Sequence, residues 1–361
     1  MMRPVFISHS GLWCAAGSTP EAVRTTLRCG QAAKGRLDLL QGSVPYAFAT
    51  DASKPFHARL TEGFEAVAQD LDLSSLSPHA PLLLGSSSLM IGAIEEGPWP
   101  PQQVLPPDHL DDCIRTIWNI PNTGWSFSCA CTSAVHALDA AIGLIETGAA
   151  EEALVLGVEM LNRTTLAGFA SLQLLSPSAS RPMDRHRDGL VLGEAIAAVR
   201  LSAQPTPWRI HAPALGLDAT SVTGHATDGS TVAAVMRRAL EYAQIDPQDL
   251  RAIKLQASGS PSSDAAEGLA LRQVHGEQVP PLLSLKAALG HTLGACGVAE
   301  LVALLQCGAQ DFLPPTAGFE QIDPALGLSP IQAPLTWASG PIMLNIQGFG
   351  GSLASWVVAR P

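Results

Sequence analysis

A strand-like segment running into a glycine-marked turn occurs at RPVFISHSGL (3–12) and again at WRIHAPALGL (208–217). A second pair follows the same rule. SAVHALDAAIGLIETG (133–148) and GACGVAELVALLQCG (294–308) each carry apolar residues at helical spacing and stop at a glycine. In the first, Val135, Leu138, Ile142 and Ile145 share a face; in the second, Val298, Leu301, Val302 and Leu305 do. A chain that starts twice is expected to fold as two similar αβ halves, 1–203 and 204–361, joined near LSAQPTPW (201–208). PLLLGSSS (81–88), EALVLGVEM (152–160) and PIMLNIQ (341–347) are apolar without clean alternation, which suits strands covered by helices on both faces. The expected class is α/β, with a central layer of helices between two sheets.

Composition narrows the function. At 361 residues and 47% hydrophobic, the chain has enough apolar material for one large core or two fused ones. No run of about 18 apolar residues is present to span a membrane, and MMRPVFISHS lacks the apolar stretch of a signal peptide, so a cytoplasmic address is expected. The seven cysteines (14, 29, 113, 129, 131, 296 and 307) are odd in number and without framework spacing, which favours reduced thiols over disulfides. The net charge is −11, and Lys34, Lys54, Lys254 and Lys286 are the only lysines, which argues against a nucleic-acid partner. The Pro-rich stretch EGPWPPQQVLPPDHL (96–110) reads as a loop.

Cys131 follows the strand-like GWSFS and directly precedes the helix that carries Val135. A helix N-terminus presents unpaired N–H groups that favour thiolate, so Cys131 is the candidate nucleophile. Cys129, two residues earlier, is expected at the strand end as a buried small hydrophobe. A metal site at Cys129, Cys131 and His136 lacks two further ligands. His136 lies about 140° round the helix from Cys131 and is expected in the core, whereas His186 is expected in a surface loop.

With its neighbours, this segment resembles the β-ketoacyl-acyl-carrier-protein synthases, condensing enzymes of the thiolase superfamily. ACTSA (130–134) is similar to their A-C-x-S-G/A. SRPMDRHRDGLVLGEA (180–195) resembles S-R-P-F/W-D-x-x-R-D-G-F-V-x-G-E, and SLKAALGHTLGACGVAE (284–300) resembles S-x-K-x-x-x-G-H-x-x-G-A-A-G-x-x-E. NIQGFGGSLASWVV (345–358) is similar to the closing N-S-F-G-F-G-G-x-N hairpin. Rival motifs fail: Leu353 occupies the third glycine of a G-x-G-x-x-G, and neither G-x-S-x-G nor H-E-x-x-H occurs.

The resemblance implies a thiolase-like fold with a layered αβαβα core. It also implies chemistry on acyl groups carried by the phosphopantetheine of an acyl carrier protein, with no metal and no cofactor of the chain's own. An acyl group moves to the cysteine, a malonyl-carrier loses CO2, and the resulting enolate attacks the thioester while donors stabilise its oxygen. By this resemblance Cys131 is the nucleophile, His291 one enolate donor, and Lys286 with Glu300 the charged pair behind them. Gly348, Phe349 and Gly350, with Ser260 and Ser262, are the implied substrate-binding residues; the Cys131 and Phe349 N–H groups would form the acylation oxyanion hole.

One member of the set is missing. The family's second histidine lies in A-H-G-T-x-T before D-x-x-E, but QASGSPSSDAAE (256–267) keeps Gly259, Asp264 and Glu267 and places Ser258 where the histidine belongs, in a loop two residues short. A serine donates one hydrogen bond but carries no positive charge at neutral pH. Chain-length factors, which pair with an active synthase and shape its acyl tunnel, have also lost part of the set, although they usually replace the cysteine that is present here. The chain is shorter than a typical synthase, around 88–118. The expected function is a chain-length-factor-like subunit that condenses weakly by itself and pairs with a second ketosynthase subunit; the alternative is an active homodimeric synthase.

Overall fold

The computed structural model describes residues 2–39, 42–97, 105–106, 108–221 and 226–360. Its first half runs β1 (Val5–Cys14), α1 (Phe56–Ala68), β2 (Leu82–Gly85), α2 (His109–Trp118), β3 (Gly124–Phe127), α3 (Ser133–Glu146), β4 (Glu152–Glu159), α4 (Arg163–Ser171) and β5 (Ala195–Ser202). After β6 (Trp208–Ile210), the second half runs β7 (Ala214–Leu217), α5 (Ser230–Ala243), β8 (Ala252–Lys254), α6 (Pro261–His275), β9 (Leu282–Leu283), α7 (Cys296–Gly308), β10 (Gly340–Gln347) and β11 (Ser352–Arg360). Apart from α4, the equally long helix Pro20–Arg28 and some shorter elements, the succession is the same in both.

The strand order repeats as well. The first wing is β1-β5-β4-β2-β3 and the second β7-β11-β10-β8-β9. In each, the first two pairings are antiparallel and the last two parallel. β6 joins the wings into one eleven-stranded sheet, because Ile210 pairs with Val5 of β1 and with Val358 of β11.

Side-chain alternation builds the layers. On β4, Leu154, Leu156 and Val158 meet Phe56, Leu60 and Phe64 of α1 in one core, whereas Ala153 and Val155 face α3 and α7 in another. On β10, Ile342, Leu344 and Ile346 join that central core, and Met343 turns to Val232 and Met236 of α5 in a third. Helices α1 and α2 therefore cover one outer face, α5 and α6 the other, with α3 and α7 between the wings. Every residue of α7 is buried, as a helix in a middle layer must be. The expected α/β class with an αβαβα core is the observed one.

Three local expectations need correction. Gly11 lies inside β1 and not in a turn; a Cβ there would stand 2.5 Å from the Val67 carbonyl, so the glycine admits α1 to close approach. The segment 208–217 is two strands and not one, interrupted at Pro213, which has no N–H to donate. His136 is half-buried, not core. Of the Pro-rich stretch, residues 98–104 and 107 lie outside the described residues, and its last two residues open α2. Among the described residues, no helix is long and apolar enough to cross a membrane.

Candidate active site

The turn between β3 and α3 is sewn by its own hydroxyls. Thr132 donates through both N and Oγ1 to the Cys129 carbonyl, at 3.1 and 2.8 Å. Ser133 Oγ accepts from Cys129 N at 2.9 Å and donates to the Ala130 carbonyl at 2.6 Å, with Ala130 in the left-handed region at φ +48°. These bonds hold Cys131, 4% exposed, two residues before α3 begins. Cys129 departs from expectation: β3 ends at Phe127, so Cys129 lies beyond the strand and is only half-buried. Burial also overrides the expected helix-end effect. Desolvation pushes the Cys131 thiol up to about 12, although the Lys286 cation and the Phe349 N–H oppose it.

His291 is clamped by its backbone: its N–H donates to the Val191 carbonyl at 2.7 Å and its carbonyl accepts from Gly193 at 3.1 Å. Both partners belong to the 180–195 block. The ring bridges two groups. Nε2 lies 3.1 Å from Cys131 Sγ, and Nδ1 lies 3.2 Å from the Lys286 ammonium. Lys286 also pairs with Oε1 of Glu300, on α7, and Lys254 from β8 pairs with Oε2 of the same carboxylate. Lys254 further donates to the Asn345 carbonyl at 2.8 Å. All five side chains are buried. Burial and the two ammonium groups depress the His291 pKa well below its ordinary value, so the ring is neutral at physiological pH. Glu300 is held low by Lys254 and Lys286 despite burial. With a protonated lysine donating to Nδ1, the neutral ring carries its hydrogen on Nε2 and aims it at Cys131.

The hairpin between β10 and β11 approaches from the other side. A Cβ on Gly348 would stand 3.2 Å from Cys131 N and 3.4 Å from its Cβ, so glycine allows this contact. The Phe349 N–H lies on the Cys131 side of the hairpin and opposes the rise of the thiol pKa, and the half-buried Phe349 ring stacks on Phe169 of α4, with centroids 4.9 Å apart. Gly350 is left-handed at φ +73° and open on its Cβ side.

Ser258 is buried in the loop after β8. Asp264 accepts from the N–H groups of Ser258, Gly259 and Met183, and Glu267 from those of Gln256 and Ala257. These two carboxylates hold the loop's shape. The Ser258 carbonyl accepts from Ser180 Oγ at 2.8 Å, but among the described residues no hydrogen bond joins its hydroxyl to Cys131 or His291. Ser260 is buried at the N-cap of α6, its Oγ 3.5 Å from Ser263 Oγ, while Ser262 is exposed in the helix's first turn. Of the residues singled out in the sequence, the structure joins Cys131, His291, Lys286, Glu300, Gly348 and Phe349 into one contact set.

Two domain models match in chain order: beta-ketoacyl synthase, N-terminal domain, over residues 121–205, and beta-ketoacyl synthase, C-terminal domain, over residues 209–320, together more than half of the chain. The chain belongs to the β-ketoacyl synthase family. The ketoacyl synthase alpha subunit of the tetracenomycin polyketide synthase from Streptomyces glaucescens is 30% identical over 69% of this chain and 63% of its own length. The 3-oxoacyl-acyl-carrier-protein synthase 2 of Mycobacterium bovis is 30% identical over 62% of this chain and 57% of its own. The matched part thus spans about three fifths of these relatives. Among solved structures, a ketosynthase in complex with its chain length factor from Xenorhabdus doucetiae superposes with a TM-score of 0.85 at 23% identity, covering 99% of this chain and 98% of that one. A β-ketoacyl synthase from Burkholderia phymatum gives 0.84 at 24%, covering 99% of each. At these identities the likeness establishes the fold.

Three contributors to this ketosynthase-family site are not singled out by its motifs. Lys254 is the second cation on Glu300. Cys296, where the family pattern has alanine, donates from Sγ to the Cys131 carbonyl at 3.2 Å. Glu159 is buried at the end of β4 and accepts from the N–H and hydroxyl groups of Ser87 and Ser88 and from Gly294 N. The signal available for Cys296 is its departure from the motif; Lys254 and Glu159 offer none beyond a charge within an apolar run.

Proposed function

We propose that this chain is a ketosynthase-family subunit of polyketide or fatty-acid synthesis. It takes an acyl chain from an acyl carrier protein onto Cys131, condenses weakly alone, and pairs with a condensing ketosynthase as a chain-length-factor-like partner. The observation that carries this reading is an asymmetry. The Cys131–His291–Lys286–Glu300 chain is unbroken, whereas the position that the family resemblance assigns to a second histidine is Ser258, whose hydroxyl bonds to none of these residues. Acylation is balanced without an external base: the Cys131 proton passes to the departing carrier thiol as the acyl–sulfur bond is exchanged, and the Phe349 N–H is in place to support the oxyanion. Decarboxylation generates an enolate, and one neutral imidazole is a thin set of donors for it.

Pairing is supported by the edge of the sheet. β3 closes the first wing, carries Trp125 at 55% exposure, and ends four residues before Cys131. An edge along which no strand pairs among the described residues, with an exposed indole, favours a partner laid along it, next to the nucleophile. An active homodimer is the second reading, favoured by the same unbroken chain from Cys131 to Glu300. Purification of the tagged protein from its own cells tests the choice. The proposed reading requires a second, non-identical ketosynthase chain in equimolar amount, and recovery of the homodimer alone rejects it.

A further inference from the structure

Glu300 is divided between two buried ammonium groups, one on each oxygen, and only one of them touches the histidine. A carboxylate held by Lys286 alone would direct both oxygens at that lysine and cancel most of its field. Here Lys254 holds Oε2 from β8 and is fixed by the Asn345 carbonyl. We propose that Lys254 is a positioning residue of the reaction centre: by sharing Glu300 it leaves the Lys286 ammonium only partly compensated, and that surplus positive charge, relayed by His291, favours negative charge at Cys131. This rests on Cys131 being the reacting thiol of the proposed function.

The groups around both ends fit the assignment. Facing Lys254 are Glu300 and Cys296 from α7, Lys286 from the short helix Lys286–Leu289, and Glu267 from α6. The Glu267 oxygens are already engaged by two backbone N–H groups. Facing Cys131 are His291, Lys286, Cys296, Glu159 and the Phe349 N–H. Glu159 is likewise bound by Ser87, Ser88 and Gly294. Each of these carboxylates is therefore held by hydrogen bonds from other groups, while the two cations flank Glu300. Among buried side chains such an imbalance is screened less than in water when a charge forms a few ångströms away.

The test is the pH profile of Cys131 alkylation by iodoacetamide, followed by the mass of the peptide that carries it. It needs no carrier protein or partner, so failure of the pairing proposal does not register in it. Lys254→Met leaves Glu300 paired with Lys286, orphans no charge, and is expected to move the profile upward by about one pH unit, slowing the reaction about tenfold near pH 8. Lys254→Gln carries the same expectation and serves if the Met variant does not fold; Lys254→Arg, which keeps the charge, should stay with the wild type. A neutral variant whose profile superimposes on the wild type overturns the assignment, as does an Arg variant that shifts with the neutral ones. A purely structural lysine would lower the melting temperature without moving the profile.

Discussion

The Lys286 ammonium stands 3.2 Å from Nδ1 of His291, on the edge of the ring opposite Cys131. A cation there leaves Nδ1 only the role of acceptor, so the tautomer of the ring is set by its neighbour. Lys286→Met should free His291 to take either tautomer and remove the cation nearest the thiol. Alkylation of Cys131 at neutral pH should fall by at least about tenfold. The Nε2 and Nδ1 nitrogen shifts of His291 should lose their single-tautomer pattern; shifts identical to the wild type would contradict this role.

Labelling with an acyl thioester, or with a cerulenin-type inhibitor, should modify Cys131 and spare Cys129 and Cys296. Only Cys131 meets both the His291 ring and the Phe349 N–H. Undiminished labelling of Cys131→Ala would defeat the assignment.

Much of this site was readable in the sequence because its residues fall in contiguous blocks whose local geometry does the placing. Cys131 is fixed by a four-residue turn, and His291 follows Lys286 by five positions. Lys254 was not readable. It meets Glu300 across 46 residues of chain, and only the pairing of β8 with β10 reveals that its ammonium points into the middle layer. Cys129 was misplaced because the apolar run suggested a longer strand than the hydrogen bonds of the turn allow. Asp264 and Glu267 were legible as a spacing, but their work as clamps on loop amides shows only in the fold. The repeat of the two halves was legible in the pair of helices; the pair of strands was read less well, because 208–217 is two strands and only β7 answers β1.

The hairpin glycines should differ in what they tolerate. In Gly351→Ala, at φ +76°, the new Cβ would lie 1.7 Å from the Asp218 carbonyl, so the backbone must move and the melting temperature should drop steeply. Gly350→Ala meets nothing within 4 Å, and its cost should be limited to the left-handed backbone, about 1 kcal/mol. Phe349→Ala should alter acylation rate and chain selectivity, because it removes the ring stacked on Phe169. Unchanged values would reduce the hairpin to a structural turn.

The clamps predict a pH signature. Burial raises Asp264 from 3.8 to about 6 and Glu267 from 4.5 to about 7. The folded chain therefore keeps protons that the unfolded chain has released, and the contribution of both groups to stability declines as pH rises through that interval. Relative to Glu267→Gln, the wild type should lose stability between about pH 4.5 and 7, read as a difference in melting temperature. Asp264→Ala leaves three buried N–H groups without their acceptor and should cost about 3 kcal/mol or more.

The central claim is that Ser258 leaves this chain able to accept an acyl group but poorly equipped to condense one. Decarboxylation of malonyl-carrier by the purified chain alone, compared with an intact homologous synthase, measures it most directly. A missing oxyanion donor typically costs a factor of about 10² to 10³, so the isolated chain should be slower by that order, with activity appearing on addition of its partner ketosynthase. Efficient decarboxylation and condensation by the homodimer, with no second subunit present, would contradict the account.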